Sequence, residues 1–181
     1  MKQDHIDEIR HGESDMNYQT IYLAGGCFWG TEKFFRQFDG IIETEVGYAN
    51  GPAQEASAPT YEEVCMSSGH AETVRIVYDP AVIPLRKLLD YYFMVIDPVS
   101  VNRQGNDIGI QYRTGIYYTD EDQKQIAEEK LSEISKELGC PSAVELLPIS
   151  NFYPAEEYHQ RYLDKNPGGY CHIPARLLNL S

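Results

Sequence analysis

Residues 20–38 read TIYLAGGCFWGTEKFFRQF. The opening TIYLA (20–24) is a short, largely apolar run of the kind that forms a buried strand, and TEKFFRQF (31–38) repeats its aromatics at helical spacing. Gly25-Gly26 joins the two and lets the chain turn sharply without Cβ strain. The stretch is therefore a strand, a turn and a helix. Cys27 stands at the turn, followed by Phe28 and by Trp29, the one tryptophan of the chain.

Outward from this unit, 41–48 (IIETEVGY) and 72–78 (ETVRIVY) alternate as strands, the second placing Val74, Ile76 and Tyr78 on one face. Between them 49–60, rich in Gly, Pro, Ala and Ser, reads as a surface loop. Pro84 opens a helix with a Leu85, Leu88, Leu89, Tyr92, Ile96 stripe that ends at Asp97-Pro98. A second helix spans about 120–138, with Thr119 as N-cap, a stripe of Ala127, Leu131, Ile134 and Leu138, and Gly139 as the stop. Strands near 112–118 and 143–149 flank it. Strands and helices alternate without repeats, which predicts an α+β fold, a two-layer sandwich of mixed β-sheet and packed helices. At 181 residues one domain is expected: a polar leader (1–19), a body (20–165) and a flexible tail (166–181) carrying Cys171.

Fifteen basic against 28 acidic residues leave a net charge of -13, a field that repels phosphate backbones and anionic lipid, so neither nucleic acid nor a membrane surface is an expected partner. The leader is charged throughout, and no segment approaches eighteen uninterrupted apolar residues, so a cytoplasmic location is expected. A monomer is expected as well. Cys27, Cys65, Cys140 and Cys171 lie far apart with no CxxC pair, which argues against a structural metal and for free or redox-active thiols.

A thiol at the first turn of a helix feels unpaired N–H groups and the positive end of the macrodipole, both of which favour the thiolate. Flanking glycines let a substrate approach, and Phe28 and Trp29 offer apolar faces for a small apolar group. An isolated cysteine is more often a buried small hydrophobe; the glycines, the aromatics and the turn favour a nucleophile here.

AGGCFWG (24–30) resembles the signature of the class A peptide methionine sulfoxide reductases. The resemblance continues in family order through GHAE (69–72), RQGND (103–107), QYR (111–113) and YHQ (158–160), and covers roughly 20–172. It implies a ferredoxin-like core and reduction of methionine sulfoxide, free or in proteins, at the S epimer of sulfur, with no cofactor. Cys27 matches the family nucleophile, Glu72 its general acid, and Phe28 and Trp29 the residues that hold the methyl group. Tyr61, Asp107 and Tyr112 match positions that surround the sulfoxide oxygen or an ordered water. Without the resemblance Glu72 would be one acidic residue among 28, and each tyrosine ordinary core packing.

Loss of oxygen to Cys27 leaves a sulfenic acid that condenses with a second thiol. PGGYC (167–171) resembles the family's recycling segment, which makes Cys171 the resolving cysteine and a thioredoxin-like protein the reductant of the resulting disulfide. Cys65 reads as structural; Cys140 reads as a passive thiol or a second shuttle thiol, the passive role being favoured. Two departures from the family pattern stand out: Met66-Ser67-Ser68 is one residue short, and no second tail cysteine follows Cys171. PAEEYHQRY (154–162) reads as a helix on which His159 packs or caps, and no GxSxG elbow supports a hydrolase. A thiol peroxidase or disulfide oxidoreductase could also use Cys27 and Cys171, and a non-catalytic module could use the aromatic pocket. The methyl site argues against the first and the distant paired thiol against the second.

Overall fold

The computed structural model describes residues 16–53 and 57–180. Most of the expected leader (1–15), the middle of the 49–60 loop (54–56) and residue 181 lie outside the described residues. In chain order the strands and helices are β1 (Gln19–Gly25), α1 (Phe28–Phe35), β2 (Ile41–Ala49), α2 (Tyr61–Cys65), β3 (Ala71–Tyr78), α3 (Leu85–Val95), β4 (Arg103–Gln104), β5 (Asp107–Ile108), β6 (Thr114–Tyr118), α4 (Glu121–Leu138), β7 (Glu145–Pro148), β8 (Phe152–Pro154) and α5 (Tyr162–Lys165).

Six strands form one sheet in the order β7-β6-β1-β3-β2-β8. Every neighbouring pair is antiparallel except β6 with β7, so the sheet is mixed. Within it β1-α1-β2-β3-α3-β6 folds with β1 and β3 central and β6 and β2 outside them, the ferredoxin-like arrangement. Alternation then divides the side chains. Ile21, Leu23, Val46, Val74, Ile76 and Ile116 turn to the helical layer and pack with Phe34 and Phe35 of α1 and Leu88, Leu89 and Tyr92 of α3, all fully buried. The other face carries a smaller cluster of Ala24, Ala49, Ala71 and Tyr117 with Tyr22, Ile149 and Phe152 against it. The Tyr92 hydroxyl donates to Ala24 O at 2.7 Å, so a core residue of α3 holds the strand end that leads into Gly25-Gly26.

Several boundaries differ from the sequence reading for identifiable reasons. Helix α1 begins at Phe28, with Cys27 as its N-cap, because Gly26 at φ +83 completes the turn one residue before the thiol. The N-cap of α4 is Asp120, whose carboxylate accepts from Gln123 N, while the hydroxyl of Thr119 turns to Gln123 and to Thr20 O. An unanticipated short helix, α2, forms because Thr60 and Glu63 close a capping box. The expected helix over 154–162 is broken into a single 3₁₀ turn at Glu157–His159 and α5, separated by Arg161 in the left-handed region. Tyr112 belongs to a 3₁₀ turn rather than to β6.

The tail lies against the body. The Tyr170 hydroxyl donates to Asp107, His172 Nε2 bonds Gly25 O at 3.1 Å, Ile173 is buried, and Leu180 N donates to Gln37.

Candidate active site

Cys27 lies where β1 hands over to α1, and three other elements converge on it. Glu72 stands near the start of β3, on the same face as Val74 and Ile76, so alternation aims its carboxyl into the helical layer instead of at solvent. It is 1% exposed, and its Oε2 accepts the backbone N–H of Phe28 at 3.0 Å. One of the free amides of the first turn of α1 is thereby satisfied by the carboxyl that faces the neighbouring thiol. Burial, reinforced by the charge of Asp107 and opposed by the Phe28 bond, raises the Glu72 pKa to about 8. Glu72 therefore holds its proton at neutral pH.

The electrostatics of Cys27 depart from the sequence argument. The Trp29 and Gly30 backbone N–H groups do favour the thiolate, as a helix start should, but burial and then the Glu72 charge outweigh them and push the thiol well above its ordinary range. At 7% exposure the thiol has lost the water that would stabilise its charge, so the resting form is a neutral thiol. Each of the two groups disfavours ionisation of the other. A charged Glu72 therefore opposes the thiolate, which forms most readily while Glu72 keeps its proton.

Tyrosines line the space around these groups. Tyr48 is paired with Glu72 in the β2–β3 register, is fully buried, and donates its hydroxyl to Glu156 Oε1 at 2.9 Å. Tyr61, at the start of α2, and Tyr112 both feel the Glu72 charge after the larger effect of burial, and both hydroxyls are pushed far up, so they act as neutral donors. Glu156 gathers this side of the site, since its Oε2 also accepts the Tyr61 backbone N–H at 3.2 Å.

Phe28 is buried against Tyr48 and His159. Trp29, half-buried, is clamped twice: its Nε1 donates to His159 Nδ1 at 3.0 Å, and its ring stacks on Tyr162 with centroids 3.7 Å apart and planes at 11°. Indole N–H can only donate, so His159 Nδ1 must be the acceptor and its proton resides on Nε2. Burial lowers the His159 pKa and keeps that ring neutral.

The tail closes the site from the other side. Gly26 has no room for a side chain, since a Cβ there would lie 2.7 Å from Gln104 Cβ. Cys171 packs against Gly30 in the first turn of α1, its thiol raised by burial, with Asp107 adding to the effect. Cys27, Cys65, Cys140 and Cys171 are all free thiols, and the last two before the tail, Cys65 and Cys140, are exposed. Among the described residues no group of His, Cys, Asp and Glu is arranged to hold a metal ion, and no helix is long and apolar enough to cross a membrane.

The sequence profile of the peptide methionine sulfoxide reductases matches residues 19–179. The chain belongs to this family, in its class A. It is similar to the peptide methionine sulfoxide reductase MsrA of Lachnoclostridium phytofermentans, 58% identical over 156 residues that cover 86% of this chain and 92% of the relative. Among solved structures it resembles Mxr1 from Saccharomyces cerevisiae in reduced form, with a TM-score of 0.81 and 42% identity over 87% of this chain and 91% of that one. It also resembles Mxr1 in complex with Trx2, with a TM-score of 0.57 and 31% identity over 85% of this chain and 91% of that one.

The protein is thus a methionine sulfoxide reductase, an enzyme that repairs oxidised methionine. The structure brings Cys27, Phe28, Trp29, Tyr61, Glu72, Asp107, Tyr112 and Cys171 to one end of the sheet. Sequence reasoning passed over Tyr48, Glu156, Tyr162 and Tyr170 in this reductase, and gave His159 only a generic packing role. Each acts through a partner more than 40 residues away, and no local pattern marks such a contact.

Proposed function

We propose that this reductase converts methionine (S)-sulfoxide to methionine by attack of the Cys27 sulfur on the sulfoxide sulfur. Phe28 and Trp29 receive the methyl group, and Glu72 delivers a proton to the sulfoxide oxygen with Tyr61 and Tyr112 donating beside it. The Cys27 thiol gives up its proton as its sulfur attacks, and that proton replaces the one Glu72 delivers; a Cys27–S bond forms while the sulfoxide S=O becomes S–OH. The hydroxyl then moves from that sulfur to Cys27 as the S–OH and Cys27–S bonds break, which releases methionine and leaves Cys27 as the sulfenic acid. The Cys171 thiol then displaces water, forming a Cys27–Cys171 disulfide. A thioredoxin-like dithiol returns both thiols by exchange and is itself oxidised. The yeast relative's complex with Trx2 supports that choice of reductant, and four free thiols suit the reducing cytoplasm.

One observation carries the reading: the Phe28 N–H to Glu72 Oε2 bond at 3.0 Å, which ties a carboxyl with a pKa of about 8 to the residue following the thiol. A proton donor and a nucleophile are thereby held together at one apolar end of the sheet. The test is turnover of each methionine sulfoxide epimer with dithiothreitol, repeated with Cys27→Ser. Turnover of the S epimer alone, lost in the variant, is expected. Turnover of neither epimer, or activity that survives in the variant, would overturn the mechanism.

A further inference from the structure

Glu32 is a buried carboxyl with no part in the chemistry above. It is 1% exposed and lies one turn beyond Trp29 on α1. Its Oε1 accepts the backbone N–H of Arg161 at 2.7 Å, and its Oε2 accepts the Thr44 hydroxyl at 2.8 Å. Burial pushes its pKa up, and the bonds from Thr44 and Arg161 pull it back.

The partner it holds is unusual. Arg161 has φ 52 and ψ 39, a left-handed conformation that a residue with a Cβ adopts under strain and keeps only where its surroundings enforce it. On either side of this strained residue stand the two groups that clamp Trp29, His159 two positions before and Tyr162 one after. Between them Gln160 is tied to β2, accepting from Val46 N and donating to Val46 O, both at 2.9 Å. The Glu32 bond ties the same turn to α1, the helix that carries Trp29.

We propose that Glu32 is a positioning residue: by holding the Arg161 amide it fixes the left-handed turn that seats His159 and Tyr162 on Trp29, and so sets the pocket wall that meets the methyl group of the sulfoxide. The last clause rests on the reading of Trp29 given under the proposed function. A carboxylate is suited to the task because it offers two acceptors on one rigid group, one for the turn and one for β2 through Thr44.

Trp29 is the only tryptophan, so its emission reports on this clamp without reference to activity. Glu32→Ala and Glu32→Gln are compared with the parent by fluorescence, acrylamide quenching and steady-state kinetics on a methionine sulfoxide peptide. Glu32→Ala is expected to shift emission to the red and increase quenching, and to raise KM roughly tenfold with kcat changed less than about twofold. Glu32→Gln, which keeps an acceptor for Arg161, should restore the parent values. A folded Glu32→Ala with parental emission and quenching overturns the proposal. Emission that moves while KM stays put upholds the placement of Trp29 by Glu32 and overturns Trp29 as the methyl wall. Should Glu32→Ala fail to fold, Glu32→Asp, one methylene too short to reach Arg161, is read in its place by the same criteria.

Discussion

A Cβ placed on Gly30 would lie 2.8 Å from the Cys171 sulfur, so the first turn of α1 and the tail thiol meet where any side chain on residue 30 would make the Cys171 thiol shift. A helical glycine ordinarily costs about 1 kcal/mol relative to alanine. Here that cost makes room for the Cys171 thiol.

Gly30→Ala is accordingly expected to disturb recycling and spare the first turnover. Without reductant it should still release one methionine per enzyme. With a dithiol protein its steady-state rate should fall roughly ten- to a hundredfold, the scale of a misplaced reacting group. Trapping of the Cys27 sulfenic acid by dimedone, followed by mass spectrometry, checks this, and Cys171→Ser should give the same trapped species.

Glu72 binds its proton more tightly in the folded protein, with a pKa of about 8 against 4.5 for an ordinary glutamate. Its contribution to stability is therefore fully present below about pH 4.5 and is lost progressively as pH rises to about 8. Glu72→Gln stays neutral throughout, so its melting temperature should exceed that of the parent above neutral pH and converge with it in acid. If Glu72 donates the proton as proposed, the same substitution should lower kcat by about 10²–10⁴-fold. Thermal melts across pH, run beside sulfoxide turnover, measure both effects.

Asp107 raises the pKa of Glu72 and of Cys27 and accepts the Tyr170 hydroxyl at 3.1 Å. Neutralising it as Asp107→Asn removes a charge that keeps the Glu72 proton in place. The alkaline limb of the single-turnover pH profile should then move to lower pH. A limb that moves to higher pH, or does not move, would contradict the electrostatic account.

Stability should respond very differently to the core and to the surface ion pairs. Leu88 is fully buried between α3 and the sheet, and Leu88→Ala should cost about 2–5 kcal/mol in chemical denaturation. Asp164 pairs with Lys33 at 2.6 Å and with Arg36, yet its side chain keeps 31% exposure, so Asp164→Asn should cost less than about 1 kcal/mol, shrinking further in salt.

Elements whose burial is periodic along the chain are legible from local patterns. The strand-turn-helix around Cys27, the Val74, Ile76, Tyr78 face and the Leu85-to-Ile96 stripe are local patterns, and each falls in the element expected of it. Cys27 stands out as a candidate nucleophile in the sequence because glycines and aromatics crowd around one thiol within seven residues. Ends of elements were less legible, as with Thr119 and Asp120, because adjacent residues compete for the same cap and side-chain bonds settle the choice.

The state of the charges and the shape of the pocket depend on the assembled fold. The helix start favours a Cys27 thiolate, but desolvation by the surrounding core outweighs it, and burial is a property of everything packed around the residue. Glu72 differs from the other acidic residues in the face that β3 turns inward and in the Phe28 amide it meets. The Trp29 clamp joins α1 to residues about 130 positions away through a turn that Arg161 would not adopt alone. Periodicity reports which face of an element is buried; only the assembled fold brings distant groups within hydrogen-bond reach.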